Sequence, residues 1–177
     1  DGSQLLTRFG HIVYLFFMIT PPEATVERAW KRGLQFGRFK AVDDLLAHNV
    51  EAFTGMPRLY FTWAQSLRKI VHTEFLDNSV AEGELPRTVA FGIGGDLTIL
   101  DVKLLLDVER YRKIIVTAHT PAEVYPPAAA MAPERNLQVF KDLIHKIPRV
   151  TLADHATGRV LVRLDRGRIV AWHPSAR

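Results

Sequence analysis

The sequence predicts an α/β protein, and three observations predict it. The first is the continuous apolar, aromatic and β-branched run "HIVYLFFMI", which reads as a strand buried on both faces, as in parallel sheets. The second is the pair of helically spaced stretches that follow it directly. The third is a change of texture after about residue 68, where short apolar runs alternate with turn signals. Residues 1–68 are therefore expected to be mainly helical around one buried strand, and residues 69–177 a mixed, mostly antiparallel α+β region.

Each element has its own local reason. "TPPE" after the strand is a helix start, with Thr20 as N-cap, Pro21 in the first helical position and Glu23 three residues after the cap. That helix is expected to run to Arg32 and to stop at Gly33. "AVDDLLAHNVEAF" reads as a second helix, with Val42, Leu45, Leu46 and Phe53 on one face and Gly55 and Pro57 ending it. "RLYFTWAQSL" reads as a third. "KIVHTEFLDN" is a strand, "EGELPR" a loop, and "TVAFGI-GG-DLTIL" a hairpin around a glycine pair. Asp101 is the natural N-cap of a helix through Leu104, Leu105, Val108 and Tyr111. "IIVTA" reads as a short strand and "TPAEVYPPAAAMAP" as a Pro/Ala loop. A helix with Pro133 near its start follows, carrying Leu137, Phe140, Ile144 and Ile147 along one face. The chain closes on "RVTLAD" and the hairpin "RVLVRL-DRG-RIVAW".

Composition limits the function classes. Apolar residues make up 47% and charged residues 24%, as in an ordinary globular protein. A net charge of +4 and a pI near 9.6 permit phosphate-bearing partners without demanding nucleic acid. There is no cysteine, so disulfides and thiolate metal sites are excluded. The apolar run from Ile12 to Ile19 is too short for a bilayer, which needs roughly 20 residues, and no signal-peptide pattern accompanies it. No membrane association is expected, and a cytoplasmic location is. The absence of an initiator methionine leads us to expect a piece of a longer or processed protein.

The sharpest chemical feature is a cluster of five cations, Arg28, Lys31, Arg32, Arg38 and Lys40, with Glu27 the only acid between residues 24 and 40. Arg28 and Arg32 share a helix face, where like charges cost about 0.2–0.5 kcal/mol. Arginine forks grip phosphate oxygens in a bidentate way. A bound anion and a solvated face, with Arg28 bridged to Glu23 or Glu27, both account for the pattern.

The strand running into "TPPE", the R-x-x-x-R helix and the following "GR" resemble the later part of P-loop kinases of the zeta-toxin group. "VDDLLAHNVEAFTGMP" and the stretch from Leu76 to Lys113 are similar to extensions of large bacterial members of that group. The resemblance implies a P-loop kinase-like sheet with lid helices. It makes Arg28 and Arg32 catalytic lid arginines that bind phosphate, with Arg38 beside them, and the parent a kinase using ATP and Mg2+. It further implies a nucleotide-sugar substrate of the UDP-N-acetylglucosamine class, a toxic effect, and an antitoxin partner. The phosphate cradle G-x-x-x-x-G-K-[ST] is absent. This chain is therefore expected to be the C-terminal portion, inactive and binding no cofactor alone, and completed by an upstream P-loop portion or a complementary chain.

Other constellations are weaker. "FGIGGD" fits a hairpin turn better than a phosphate loop. The seven histidines show no metal-ligand spacing, so no metal site is expected. His48 is either a substrate contact or a helix-surface residue. Asp101, Asp107 and Glu109 are candidates for acid/base work, although Asp101 is more simply a cap. Arg149, Arg159, Arg163, Arg166 and Arg168 form a basic C-terminal ribbon. Exposed strand edges often carry cations to prevent pairing, so nucleic acid is not an expected partner. The rival class is a non-catalytic module that binds a protein or RNA.

Overall fold

The computed structural model describes residues 12–64, 70–127 and 138–175. Its centre is one mixed sheet of seven strands, β1 (Ile12–Ile19), β2 (Ile70–Asp77), β3 (Arg87–Ile93), β4 (Asp96–Ile99), β5 (Arg149–Ala153), β6 (Val160–Asp165) and β7 (Arg168–Trp172), lying side by side in chain order. β1 and β2 are parallel, as are β4 and β5, and the other four neighbouring pairs are antiparallel. Four α-helices accompany the sheet among the described residues: α1 (Pro22–Phe36), α2 (Val42–Ala64), α3 (Val102–Tyr111) and α4 (Gln138–Lys146). No described helix is long and apolar enough to cross a membrane. The fold is thus α/β.

Parallel neighbours need a crossover, and helices supply both. α1 and α2 connect β1 to β2, while α3 and α4 lie between β4 and β5. α2 packs on β2, α3 on β1 and β3, and α4 on β5, whereas α1 rests on α2. The inner sheet face meets these helices in the main core, through Phe17, Ile19, Phe75, Leu97, Ile99 and Val150 against Phe53, Tyr60, Leu105, Val108, Leu143 and Ile147. A satellite cluster of Leu46, Ile114, Ala118 and Val124, with Val26 beside it, ties α1 and α2 to the loop after α3.

Several expectations need correction. β1 is buried on its inner face alone. Ile12, Tyr14, Phe16 and Met18 point outward and stay exposed, because no described element covers that side of the sheet. α1 does not stop at Gly33. It continues to Phe36 and ends at Gly37, whose left-handed φ of 68° closes the C-terminus. Gly33 is instead buried under the Phe39 ring, which occupies the space a Cβ would need. Thr20 does not cap the helix either. Pro21 is the N-cap, without a side-chain bond, and the Thr20 hydroxyl accepts from Asn78 Nδ2 at 3.2 Å.

The second and third expected helices are one. α2 runs through Gly55 and Pro57 to Ala64. Proline removes one backbone donor from the ladder, yet Phe53, Met56 and Tyr60 on the same face are buried in the core and hold the helix together. "IIVTA" is not a strand. It is a turn-rich loop in which Ile115 N–H donates to Val124 O at 2.8 Å. The "GG" hairpin stands, with Ile93 paired to Asp96 across Gly94 and Gly95. So do the Asp101 cap, which accepts from Leu104 N–H at 2.9 Å, and the closing hairpin from β6 to β7. Of the face expected for the helix after Pro133, Ile147 is buried and Ile144 partly so, with Leu143 also buried, while Pro133, Leu137 and the Phe140 side chain lie outside the described residues.

Candidate functional site

α1 leaves the sheet at the carboxyl ends of the two parallel strands, which is where open α/β sheets place ligands. The connections there are tied together. Asn78, just past β2, donates its backbone N–H to Ile19 O at 2.8 Å. Arg28 reaches from α1 to the same loop, where Nη2 donates to Asn78 O at 2.8 Å and to Val80 O at 3.1 Å. One residue earlier, at the end of β2, the buried Asp77 carboxylate binds Arg87 and accepts from Ser79 N–H. Burial works to raise the Asp77 carboxyl, but the bonds from Ser79 and Arg87 outweigh it and hold the group below the usual carboxylate range.

The cation cluster divides into held and free members. Arg28 is held by carbonyl oxygens, not by Glu23 or Glu27. Lys31 pairs with Glu27 at 2.8 Å, one helical turn away. Glu23 instead accepts from the Tyr125 hydroxyl at 2.9 Å. Arg32 and Arg38 are exposed and have no hydrogen-bond or ion-pair partner among the described residues. The Phe39 ring lies 5.2 Å from Trp30 and over Gly33, so the segment after Gly37 folds back against α1 and brings Arg38 to its end.

His48 lies on the exposed surface of α2, with Nδ1 donating to Asp44 O at 2.7 Å. That leaves Nε2 to accept from Lys40 Nζ at 3.3 Å. The structure therefore gathers Arg28, Arg32 and Arg38 on and beside α1, and places His48 next to Lys40 on the neighbouring helix.

A second cluster at the helix root escaped sequence reasoning. The Arg110 guanidinium sits 3.8 Å over the Tyr125 ring, and Tyr125 binds Glu23. Burial pushes the Tyr125 hydroxyl up, and Glu23 adds to the shift. Burial likewise raises the Asp107 carboxyl, against the pull of Arg110 at 3.9 Å. "TPPE" shows Glu23 only as a capping residue, and Tyr125 falls in a Pro/Ala stretch, so nothing local joins them. Glu109 is buried and paired with Arg112 and Lys113, and Asp101 is a cap, so both have structural partners.

The C-terminal ribbon is less basic than it reads. Arg149 makes a bidentate pair with Asp96, both contacts at 2.6 Å. Among the described residues no three His, Asp or Glu side chains converge to hold a metal. Comparison with protein-family models, with curated proteins and with solved structures finds no match.

Proposed function

We propose that this chain is the lid-bearing C-terminal portion of a zeta-toxin-like ATP-dependent kinase, whose phosphate cradle lies in an upstream portion of the same protein. One observation carries the reading. α1 leaves the carboxyl end of a parallel strand, is fastened at its root by Arg28, and keeps Arg32 and Arg38 in solvent without partners among the described residues. A fastened helix with free arginine forks is suited to an anion that arrives from outside the chain.

The roles divide accordingly. Arg28 positions α1 over the loop after β2. Arg32 and Arg38 take phosphate oxygens and balance charge that grows on the transferred group. When bound, ATP with Mg2+ supplies the phosphoryl group. The free forks fit its phosphate end, and the metal ligands belong to the upstream portion. His48, held beside Lys40, is the candidate contact to a nucleotide-sugar substrate of the UDP-N-acetylglucosamine class. An antitoxin is the natural partner of such an enzyme.

The test is turnover. The isolated chain should show none, because positioning and electrostatic stabilisation both need the cradle. In the parent, Arg32→Ala should lower the rate roughly 10²–10³-fold with little change in melting temperature, and Arg32→Lys should rescue only part. Turnover by the isolated chain, or an unchanged rate in the Arg32→Ala parent, sinks the reading. A second reading, a non-catalytic module that binds a protein, is favoured by the exposed apolar side of the sheet. Absence of nucleotide binding in the parent would support it.

A further inference from the structure

The outer sheet face is built in two halves. Over β1, β2 and β3 it is apolar, presenting Ile12, Tyr14, Phe16, Met18, Ile70, Phe91 and Ile93, all exposed. Tyr14 and Phe16 are 62% and 60% accessible. The polar residues in this half are already engaged, since His72 stacks under Tyr14 at 4.7 Å and Glu74 accepts from the Thr88 hydroxyl. Over β4, β5 and β6 the same face turns polar, with Asp96, Thr98, Arg149, Thr151, Arg163 and Asp165 in register. If each half-exposed large apolar side chain leaves on the order of 100 Å2 in water, the apolar half offers roughly 700 Å2. That exceeds what a monomer leaves bare and approaches the roughly 800 Å2 per partner of a stable interface.

The edge next to this patch is equally bare. Among the described residues β1 hydrogen-bonds to β2 alone, and its free edge has no charge, no proline and no bulge over all eight residues. Exposed edges ordinarily carry at least one of those devices.

We propose that the free edge of β1 and the outer face of β1–β3 are the seam against the upstream portion of the same protein, which adds a strand along β1 and lays a helix over Tyr14, Phe16 and Phe91. The proposal rests on the reading that such a portion exists. Two observations must be met together, a bare edge and an apolar face beside it. A second copy of this chain paired edge to edge covers the edge and leaves the aromatic rings in water. A second copy packed face to face covers the rings, leaves the edge open, and sets Asp96, Arg149 and Arg163 beyond the contact. One strand followed by one helix covers both. The parallel β1–β2 pair suits it, because parallel strands are joined by helices and are covered on both faces. The polar half of the face marks where the cover ends.

The experiment expresses the upstream coding portion and residues 1–177 as separate chains and mixes them. Sedimentation should show a one-to-one complex, and amide exchange along β1 should slow roughly tenfold or more. Tyr14→Glu and Phe16→Glu should weaken the complex about 100-fold or more, since each buries an unpaired charge. Both side chains are exposed in the isolated chain, so its melting temperature should hold. A complex indifferent to Phe16→Glu, unchanged exchange in β1, a self-dimer through β1 that the upstream portion does not displace, or a reading frame that begins at residue 1 each overturns the seam. The two readings also separate. If the pair assembles through β1 but Arg32→Ala leaves turnover unchanged, the seam stands and the kinase assignment falls. If turnover depends on Arg32 while Phe16→Glu leaves assembly intact, the reverse holds.

Discussion

At the scale of single residues, Arg28 and Arg32 have the same side chain at helical spacing and different surroundings. Removing one of two like charges from a solvated face would relieve repulsion. Arg28 is not in that situation, because its guanidinium satisfies the carbonyls of Asn78 and Val80. Arg28→Ala should therefore cost about 1–3 kcal/mol, roughly 2–10 °C in melting temperature, while Arg32→Ala should be nearly neutral for folding. Parallel thermal melts of the two variants check it, and equal melting would remove the anchoring role. Asp77 supplies a pH test. Its folded pKa is depressed below the ordinary 3.8, so its stabilisation is present above that value. It is lost as pH falls from there through the depressed value. Asp77→Asn should lower stability at pH 7 and flatten the acid limb of a melting series taken from pH 7 down to about pH 2, across the window in which that stabilisation is lost. An unchanged limb would mean that the Asp77 carboxyl titrates as it does in the unfolded chain.

At the scale of elements, glycine and proline decide where helices and strands end, but only in their surroundings. Gly33 looks like a stop and is a packing position for the Phe39 ring, whereas Gly37 has the left-handed backbone that ends α1. Pro57 looks like a breaker and lies inside a 23-residue helix. Gly92 carries the opposite lesson, since it sits in an ordinary strand with no turn signal of its own. A Cβ there would come within 2.0 Å of the Asp96 carbonyl oxygen. That atom belongs to the backbone of β4 and cannot step aside without opening the hairpin. Gly92→Ala should thus be among the more damaging single-methyl changes in the sheet, costing upward of about 2 kcal/mol. Chemical denaturation compares it with Gly83→Ala, where no atom lies within 4 Å of the added Cβ but φ is +88°. A milder effect at position 92 than at 83 would contradict the close approach of β3 and β4.

At the scale of the whole molecule, the described elements cover the sheet on one side. α2, α3 and α4 pack on its inner face, and the main core lies between them. The outer face grades from apolar at β1 to charged at β6. α1 rests on α2, is tied to the loop after β2 through Arg28, and is joined to the loop after α3 through Val26 and Glu23. Such a helix can keep its free cations in solvent while its root stays fixed. The proposed seam and the proposed lid thus occupy different surfaces of one half of the molecule, so an assembly measurement and a turnover measurement test them independently.

The sequence by itself determined the kinds of element and most of their order. The apolar run of β1, the strand at β2, the closing hairpin, the Asp101 cap and the Gly94–Gly95 turn are local signals with local causes, and each appears where the pattern puts it. It also singled out the cations of α1. Tertiary structure decided the rest, because the deciding contacts join residues far apart in the chain. Whether Arg28 is held or free depends on carbonyls 50 and 52 residues away. Tyr125 meets Glu23 across 102 residues. The run in β1 fixes how apolar the strand is and says nothing about which side receives a covering layer. That depends on where the crossover helices pack, and they leave Tyr14 and Phe16 facing water.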